Sequence, residues 1–291
     1  MSVILVTGAT SGIGRHAALH MARRGHTVFA TGRRTDALEA LEAEARQENL
    51  DLSGIALDVN DPHTIAAAHA RVLAHTDGHG VDVLVNNAGY GQAGAVLDVN
   101  DQLVRKQFDT NVFGLLAVTR TFATEMMERG SGRIVNVSSI GGRLSMPLTG
   151  VYTASKFAVE GLSDAMRIEL APLGIQVVVV EPGPINTRFN ATLTSTAEQM
   201  PSDSPWGRVY DGSDELIASF ESGAPGPLPV SRAIARASES RWPRARYVAP
   251  GYLAPVVALA ARLPALVVDT FFHVAFGFRQ TRRPPALEVA A

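Results

Sequence analysis

The strongest constraint on this chain is the alternation of two hydrophobic periodicities along it. Short apolar, β-branched runs at residues 3–6, 27–30, 54–58, 81–85, 133–137 and 176–180 are separated by longer, helix-patterned segments. The last run contains VVVV, apolar without alternation, as expected of a parallel strand covered on both faces. The helical segments are IGRHAALHMARRG, TDALEALEAEARQ, DPHTIAAAHARVLAH and the stretches 100–129 and 151–173. Gly25, Gly130 and Gly174 stand where such helices end in a left-handed residue. Strand–helix alternation at this spacing implies right-handed βαβ crossovers. The predicted fold is therefore α/β, a doubly wound parallel sheet of about seven strands, with helices on both faces and a C-terminal helical extension.

A length of 291 residues suits one large domain, with 1–183 as a binding and catalytic core and 184–291 as lid, last strand and C-terminal helices. A net charge of −2 without a block of like charge argues against a nucleic-acid surface. The absence of cysteine excludes disulfides, thiolate zinc sites and cysteine nucleophiles. The opening MSVILVTGAT has a short apolar run and no basic region before it, so it reads as a buried strand rather than a signal peptide. The expected location is cytoplasmic. Residues 184–230 are rich in Pro, Ser, Gly and Thr and leave the carboxyl end of a strand, where open α/β sheets bind ligands. They are expected to form a lid.

Directly after the first run comes TGATSGIG. Gly8 permits a tight turn, Gly12 lets the backbone approach a pyrophosphate, and Gly14 allows close strand–helix packing, with the phosphate charge at a helix N-terminus. The spacing is G-x-x-x-G-x-G, and with it the chain resembles the short-chain dehydrogenase/reductase family, in its single-domain branch, over roughly residues 1–190. The resemblance implies a Rossmann-type fold and a nicotinamide dinucleotide, with Thr10, Ser11 and Ile13 joining the three glycines around the phosphates. At the end of the second run, VFATGRR has Gly32 where a carboxylate would hold the ribose hydroxyls, followed by Arg33 and Arg34. A guanidinium there pairs with a 2′-phosphate, so NADP(H) is the expected cofactor and Arg33 its contact. Arg34 is left pointing away, and Asp36 is assigned to the next helix N-terminus. By the same resemblance Asp58 and Val59 lie against the adenine. NNAG supplies Asn86, Ala88 and Gly89 beside the adenosine ribose, with a purely structural role for Asn86 also open. EPGPINTRF supplies Pro182, Gly183, Ile185 and Thr187 near the carboxamide; Asn186 and Arg188 have no assigned role.

The stretch VYTASKFAVEGL places Tyr152 and Lys156 on one helix face, a spacing that alone also suits a structural helix. Ser139 lies 13 residues before Tyr152 and Asn111 lies 41 before it, offsets that match the family's Asn–Ser–Tyr–Lys tetrad. A free tyrosine titrates near ~10, too high for a good base at neutral pH. A cation about 4 Å away is worth roughly 4 kcal/mol, or about three pKa units, at an effective dielectric of ~20. Lys156 is thus expected to lower the Tyr152 pKa, helped by the positive oxidised nicotinamide, and the resemblance has it hold the ribose hydroxyls. Ser139 donates to the substrate oxygen, and Asn111 holds a water linking Lys156 to solvent. Ser138 would face the other way on a strand; Thr153 and Ser155 read as packing residues.

The i, i+4 pairs His16/His20 and His75/His79 lack a third ligand, so no metal is expected. Ser139 lacks the surroundings of a hydrolase nucleophile. In YLAPVVALAARLPALVVDTFFHVAFGFRQTRRPP, Arg262, Asp269, His273 and Pro264 interrupt any spanning segment. A face of Val268, Phe271, Phe272 and Ala275, followed by Arg279, Arg282 and Arg283, suits a helix that closes the pocket and subunit contacts, or an interfacial membrane anchor. The expected activity is NADP(H)-dependent interconversion of an alcohol and a ketone or aldehyde, reducing a bulky apolar carbonyl as hydroxysteroid and retinol dehydrogenase-like members do. The alternatives are a 3-oxoacyl thioester reductase and a non-catalytic NADP sensor. The family implies a homodimer or homotetramer through the helices carrying Asn111 and Tyr152.

Overall fold

The computed structural model describes residues 1–211 apart from 198 and 202, residues 223–276 and residue 278. Seven strands run parallel: β1 (Val3–Val6), β2 (Thr27–Gly32), β3 (Leu52–Ala56), β4 (Val83–Asn86), β5 (Gly132–Val137), β6 (Ile175–Pro182) and β7 (Arg246–Ala249). They form one sheet in the order β3-β2-β1-β4-β5-β6-β7, reversing direction of growth between β1 and β4. That reversal opens the crevice in which such sheets bind ligands. The helices are α1 (Gly12–Ala22), α2 (Thr35–Gln47), α3 (Pro62–His75), α4 (Asp101–Phe108), α5 (Leu115–Phe122), α6 (Thr124–Arg129), α7 (Gly150–Glu169), α8 (Arg188–Ala197), α9 (Gly207–Asp211), α10 (Leu228–Glu239), α11 (Ala254–Ala260) and α12 (Ala265–Ala275).

The two faces of the sheet bury separate cores, as the strand period of two requires. From β1, Ile4 and Val6 join Ala17, Ala18, Met21, Leu41 and Ile234 of α1, α2 and α10. Leu5 points the other way, to Ile65, Val72, Val118 and Phe122 of α3 and α5. Each fully buried aliphatic chain of this kind contributes roughly 1.5–3 kcal/mol. Gly25, Gly130 and Gly174 have φ of 86°, 66° and 74°, the left-handed helix ends expected of them.

Several boundaries differ from expectation for identifiable reasons. β3 pairs with β2 from Val28↔Leu52, because Leu52 is buried, and it stops at Ala56. Asp58 and Val59 therefore lie in the following loop. β4 starts at Val83, since Asp82 turns its carboxylate to the Val3 amide. β7 is the edge strand RYVA, half polar and without an apolar run to announce it. The stretch 100–129 is not one helix: between α4 and α5 it widens into a π turn, Asp109–Gly114. Asp36 sits in the first turn of α2.

The C-terminal helices depart most from expectation. α12 has no buried residue, and Val257 is the sole buried one of α11. Of the face predicted to close the pocket and subunit contacts, Val268 and Phe272 are half-buried while Phe271 and Ala275 are exposed. Arg279, Arg282 and Arg283 lie outside the described residues, as does part of the predicted lid. Among the described residues no single helix is long and apolar enough to cross a membrane.

Candidate active site

Parallel strands deliver all their carboxyl ends to one edge, and the residues singled out in the sequence gather there. Gly8, with φ of 66°, lets the turn after β1 pass so near the β4 loop that a Cβ would stand 2.8 Å from Ala88 Cα. A Cβ on Gly14 would collide with Gly8 O and Asn87 Nδ2, so only glycine lets α1 start this close to the turn. Gly12, with φ of 53°, faces Thr187 across the crevice. Ser11 occupies the N-cap of α1 in extended conformation but makes no capping bond, which leaves the amides of Gly12, Ile13 and Gly14 without a side-chain acceptor. Two residues with no assigned role hold the turn. Thr7 Oγ1 accepts from the Asn87 and Ala88 amides, and Asn87 Nδ2 donates to Thr7 O.

At the end of β2, the Thr10 side chain fills the space beside Gly32, where a Cβ would meet Thr10 Cγ2 at 2.5 Å. Arg34 does not point away; it bends back to donate to Thr10 O at 3.1 Å. Arg33 is exposed, and among the described residues it makes no hydrogen bond or ion pair. Its charge acts on the nearby Tyr90 phenol, whose pKa burial and Asp109 raise. Asp58 accepts from the Asn60 amide at 3.0 Å, and Val59 packs into the second core against Gly114 of the π turn. Asn86 donates to Thr119 Oγ1 and Asn136 Oδ1 at 2.8 and 2.9 Å, tying β4 to β5 and α5. Gly89 has no side chain to obstruct Asn111 and Lys156: a Cβ would stand 2.9 Å from Asn111 Oδ1 and 3.7 Å from Lys156 Nζ.

Asn111, Ser139, Tyr152 and Lys156 come together from the π turn, the end of β5 and the first turns of α7, all buried. Ser139 accepts from the Gly141 amide at 3.0 Å, which points its hydroxyl toward that of Tyr152. Ser138 turns to the opposite side, toward Gly142 and Glu160. Lys156 Nζ donates to Val137 O at 2.9 Å and lies 6.0 Å from the centre of the Tyr152 ring. Asn111 Nδ2 donates to Tyr90 O and to Ser155 Oγ, both at 3.0 Å. Ser155, assigned to packing from the sequence, is thus the partner that orients Asn111, and it donates in turn to Tyr152 O. Both Asn111 amide protons are engaged, so a water at this residue must use an Oδ1 lone pair or the main-chain carbonyl.

The electrostatics correct one expectation. Burial pushes Tyr152 up to about 12, against a smaller lowering by Ser139. Burial likewise lowers the Lys156 ammonium, to about 8. Desolvation is the dominant cause for both groups. One turn along α7, Glu160 opposes the fall in the Lys156 pKa. Glu160 belongs to a buried cluster that the sequence did not suggest: Arg246 meets Glu160 at 3.0 Å and Glu181 at 3.3 Å, and Arg143 meets Glu181 at 3.2 Å.

A cover closes over this floor. Phe189, at the start of α8, lies 5.3 Å from the Tyr152 ring, and with Leu193 it crowds Gly91. Thr196 Oγ1 accepts from the Ala93 amide, and Tyr210 and Ser204 donate to Asp98. Ile185 is buried in the first core, Gly183 donates to Ala249 O, and Thr187 Oγ1 accepts from the Phe189 amide. The histidine pairs have protein partners: His16 meets Ser231 and stacks on His20, His75 edges onto Phe29, and His79 pairs with Asp82.

The chain resembles proteins along nearly its whole length. It is 34% identical over 268 residues to the uncharacterized oxidoreductase YbbO of Escherichia coli K12, covering 91% of this chain and 92% of that one. It is 32% identical over 271 residues to 17-beta-hydroxysteroid dehydrogenase type 1 of Homo sapiens, covering 89% and 80%. A solved actinorhodin polyketide ketoreductase (F189W) with NADPH superposes with a TM-score of 0.70 at 34% identity, over 82% of this chain and 90% of that one. A Burkholderia phymatum short chain dehydrogenase/reductase in complex with NAD shares the fold, with a TM-score of 0.77 at 24% identity over 97% and 96% of the two chains. Residues 2–198 match the short chain dehydrogenase family, and the protein is a member of that oxidoreductase family.

Proposed function

We propose that the protein is an NADP(H)-dependent reductase that converts a bulky apolar ketone or aldehyde to the alcohol. The observation that carries this is the meeting of the Tyr152, Ser139 and Lys156 side chains beneath the Phe189 ring, on the edge where Arg33 is exposed. The residues fit a nicotinamide dinucleotide. Gly8 and Gly14 allow the turn and α1 to pack this closely, a Cβ at Gly12 would project into the crevice toward Thr187, and the first amides of α1 have no side-chain acceptor. In this reading Gly8, Thr10, Ser11, Gly12, Ile13 and Gly14 hold the pyrophosphate, and Asp58, Val59, Asn86, Ala88 and Gly89 border the adenosine. Arg33 binds a 2′-phosphate, and Pro182, Gly183, Ile185 and Thr187 flank the nicotinamide.

A bound nicotinamide supplies the hydride. Ser139 donates a hydrogen bond to the carbonyl oxygen as negative charge grows there. Tyr152, protonated to about 12, delivers the proton that completes the alcohol. Lys156 holds a positive charge beside that oxygen and the cofactor ribose, and Glu160 helps it keep that charge. Asn111 fixes the Tyr90 loop and the start of α7 through Ser155.

The apolar substrate class is supported by Phe189 and Leu193 over the floor and by the similarity to a hydroxysteroid dehydrogenase. The polyketide ketoreductase likeness favours a second reading, reduction of a 3-oxoacyl thioester. A homodimer through the π turn and α7 is supported by the exposed Phe113 and Phe157. The test is oxidation of NADPH, with NADH in parallel, against steroids, retinal, acetoacetyl thioesters and small ketones. Best turnover of a steroid or retinal with NADPH is expected. Best turnover of the thioester moves the assignment to the second reading, and a preference for NADH removes Arg33 from the cofactor site.

A further inference from the structure

Residues 251–275 carry an apolar surface that no described residue covers. After the turn Gly251–Leu253, α11 and α12 meet at Pro264 with a bend of 118°. Together they are apolar enough for a membrane span, but the bend prevents them from crossing as one rod. On α12, Leu266, Val267, Phe271 and Val274 share one side of the helical wheel, and Leu266 and Phe271 are 77% and 65% exposed. His273, seven residues on from Leu266, shares that side, Asp269 flanks it, and Val268 and Phe272, on the other side, are half-buried. Val256 and Leu259 extend the exposed apolar surface along α11. An isolated face of this kind on a folded protein marks a binding surface.

Charge selects the occupant. Arg262 stands at the bend and Arg279, Arg282 and Arg283 follow in sequence, against Asp269 and Glu288, although the chain as a whole has a net charge of −2. A second copy docking isologously through the same surface would bring the exposed Arg262 toward its own image. A negatively charged lipid surface complements the basic residues of this stretch of sequence. We propose that the helix pair 251–275 docks the protein on an anionic lipid bilayer, its apolar side at the acyl boundary and Arg262 among the headgroups.

The root of the pair gives this docking a consequence at the active site. Leu253 packs against Gly183, and the turn it belongs to leaves β7 on the same sheet edge as Tyr152. A docked pair therefore holds the mouth of the crevice at the lipid surface. Delivery of an apolar carbonyl from the bilayer rests on the function proposed above; the docking itself does not.

The full chain is tested by flotation with phosphatidylcholine vesicles, with and without phosphatidylglycerol, at low and high salt. Leu266→Glu with Phe271→Glu is the variant, since both side chains are exposed, and thermal melting verifies its fold without reference to activity. Wild type is expected to float with phosphatidylglycerol vesicles, less so in high salt or without the anionic lipid. The variant is expected to lose binding at least about tenfold at unchanged melting temperature. Equal flotation of the two proteins, or none by wild type, overturns the proposal. A wild type that is larger than the variant by light scattering and floats with neither vesicle overturns it in favour of self-association.

Discussion

Below the crevice, Asn111, Ser139, Tyr152 and Lys156 are all buried and each is held by neighbours on β5, α7 or the β4 loop. Above it, the cover is a run of short helices whose long-range contacts, among the described residues, include Phe189 to Tyr152, Thr196 to Ala93, Tyr210 to Asp98 and the Ala95 amide, and Ser204 to Asp98. The floor draws its rigidity from the sheet, and the cover draws its position from the floor. Chemistry therefore resides where a change disturbs packing on every side. Recognition resides where a change disturbs one attachment, which is how one scaffold accommodates different substrates.

The largest expected effect tests the floor. Tyr152→Phe should lower kcat/KM by about 10³-fold or more while NADPH affinity changes little, measured by steady-state rates and fluorescence titration. A loss of less than about tenfold would assign proton delivery to another group. Lys156→Met should lower kcat/KM by about 10²-fold and raise the melting temperature at pH 7. The sign follows from burial. The folded pKa of about 8 lies below 10.5, so the buried ammonium opposes folding below pH 8, and the penalty fades as pH rises toward 10.5. The gain from Lys156→Met, at most about 3 kcal/mol, should therefore shrink from about pH 8 upward and vanish only above the unfolded value. A lower melting temperature at pH 7 would mean the bond to Val137 O outweighs desolvation. With Tyr152 protonated to about 12, the fall of reductive kcat/KM above about pH 8 should track Lys156, and Glu160→Gln should move it to lower pH.

Arg33→Ala should weaken NADPH binding roughly 10–100-fold and leave NADH unchanged, the loss of a charge-assisted contact. Equal weakening of both would place Arg33 in a structural role. The smallest effect tests the cover. Tyr210→Phe removes the bond to Asp98 and the acceptor of the Ala95 amide, and should raise KM for a bulky ketone a few-fold, with kcat for a small one unchanged. If Tyr210→Phe instead lowered kcat for every substrate, cover and floor would be a single unit.

What could be read in the sequence was local. The glycine turn, the Tyr152–Lys156 spacing and six of the seven strands depend on residues within a few positions of one another. Asn111 was found by its offset from Tyr152, but no residue type announces the π turn that carries it, because the extra residue is accommodated by neighbouring packing. Ser155 looks like any small helix residue until Asn111, 44 positions away, is placed beside it. The Glu160, Glu181, Arg143 and Arg246 cluster joins segments that have no common motif. Phe189 and Tyr210 stand in a stretch whose composition suggested a lid and no particular contact. The exposure of α12 was equally hidden, since an apolar helix reads the same whether buried or bare.

The first helix of the chain is completed by nearly the last of the core. α1 packs on α10, with His16 meeting Ser231 and Arg24 meeting Glu239, while Arg133 of β5 grips the carbonyls of Ala237, Ser238 and Ser240 at the far end of α10. During synthesis the outer side of α1 must wait for more than 200 residues before its neighbour emerges from the ribosome. Until then that side is a sticky surface on a nascent chain, and a chaperone that shields it would raise the yield of folded protein without touching any residue of the finished site.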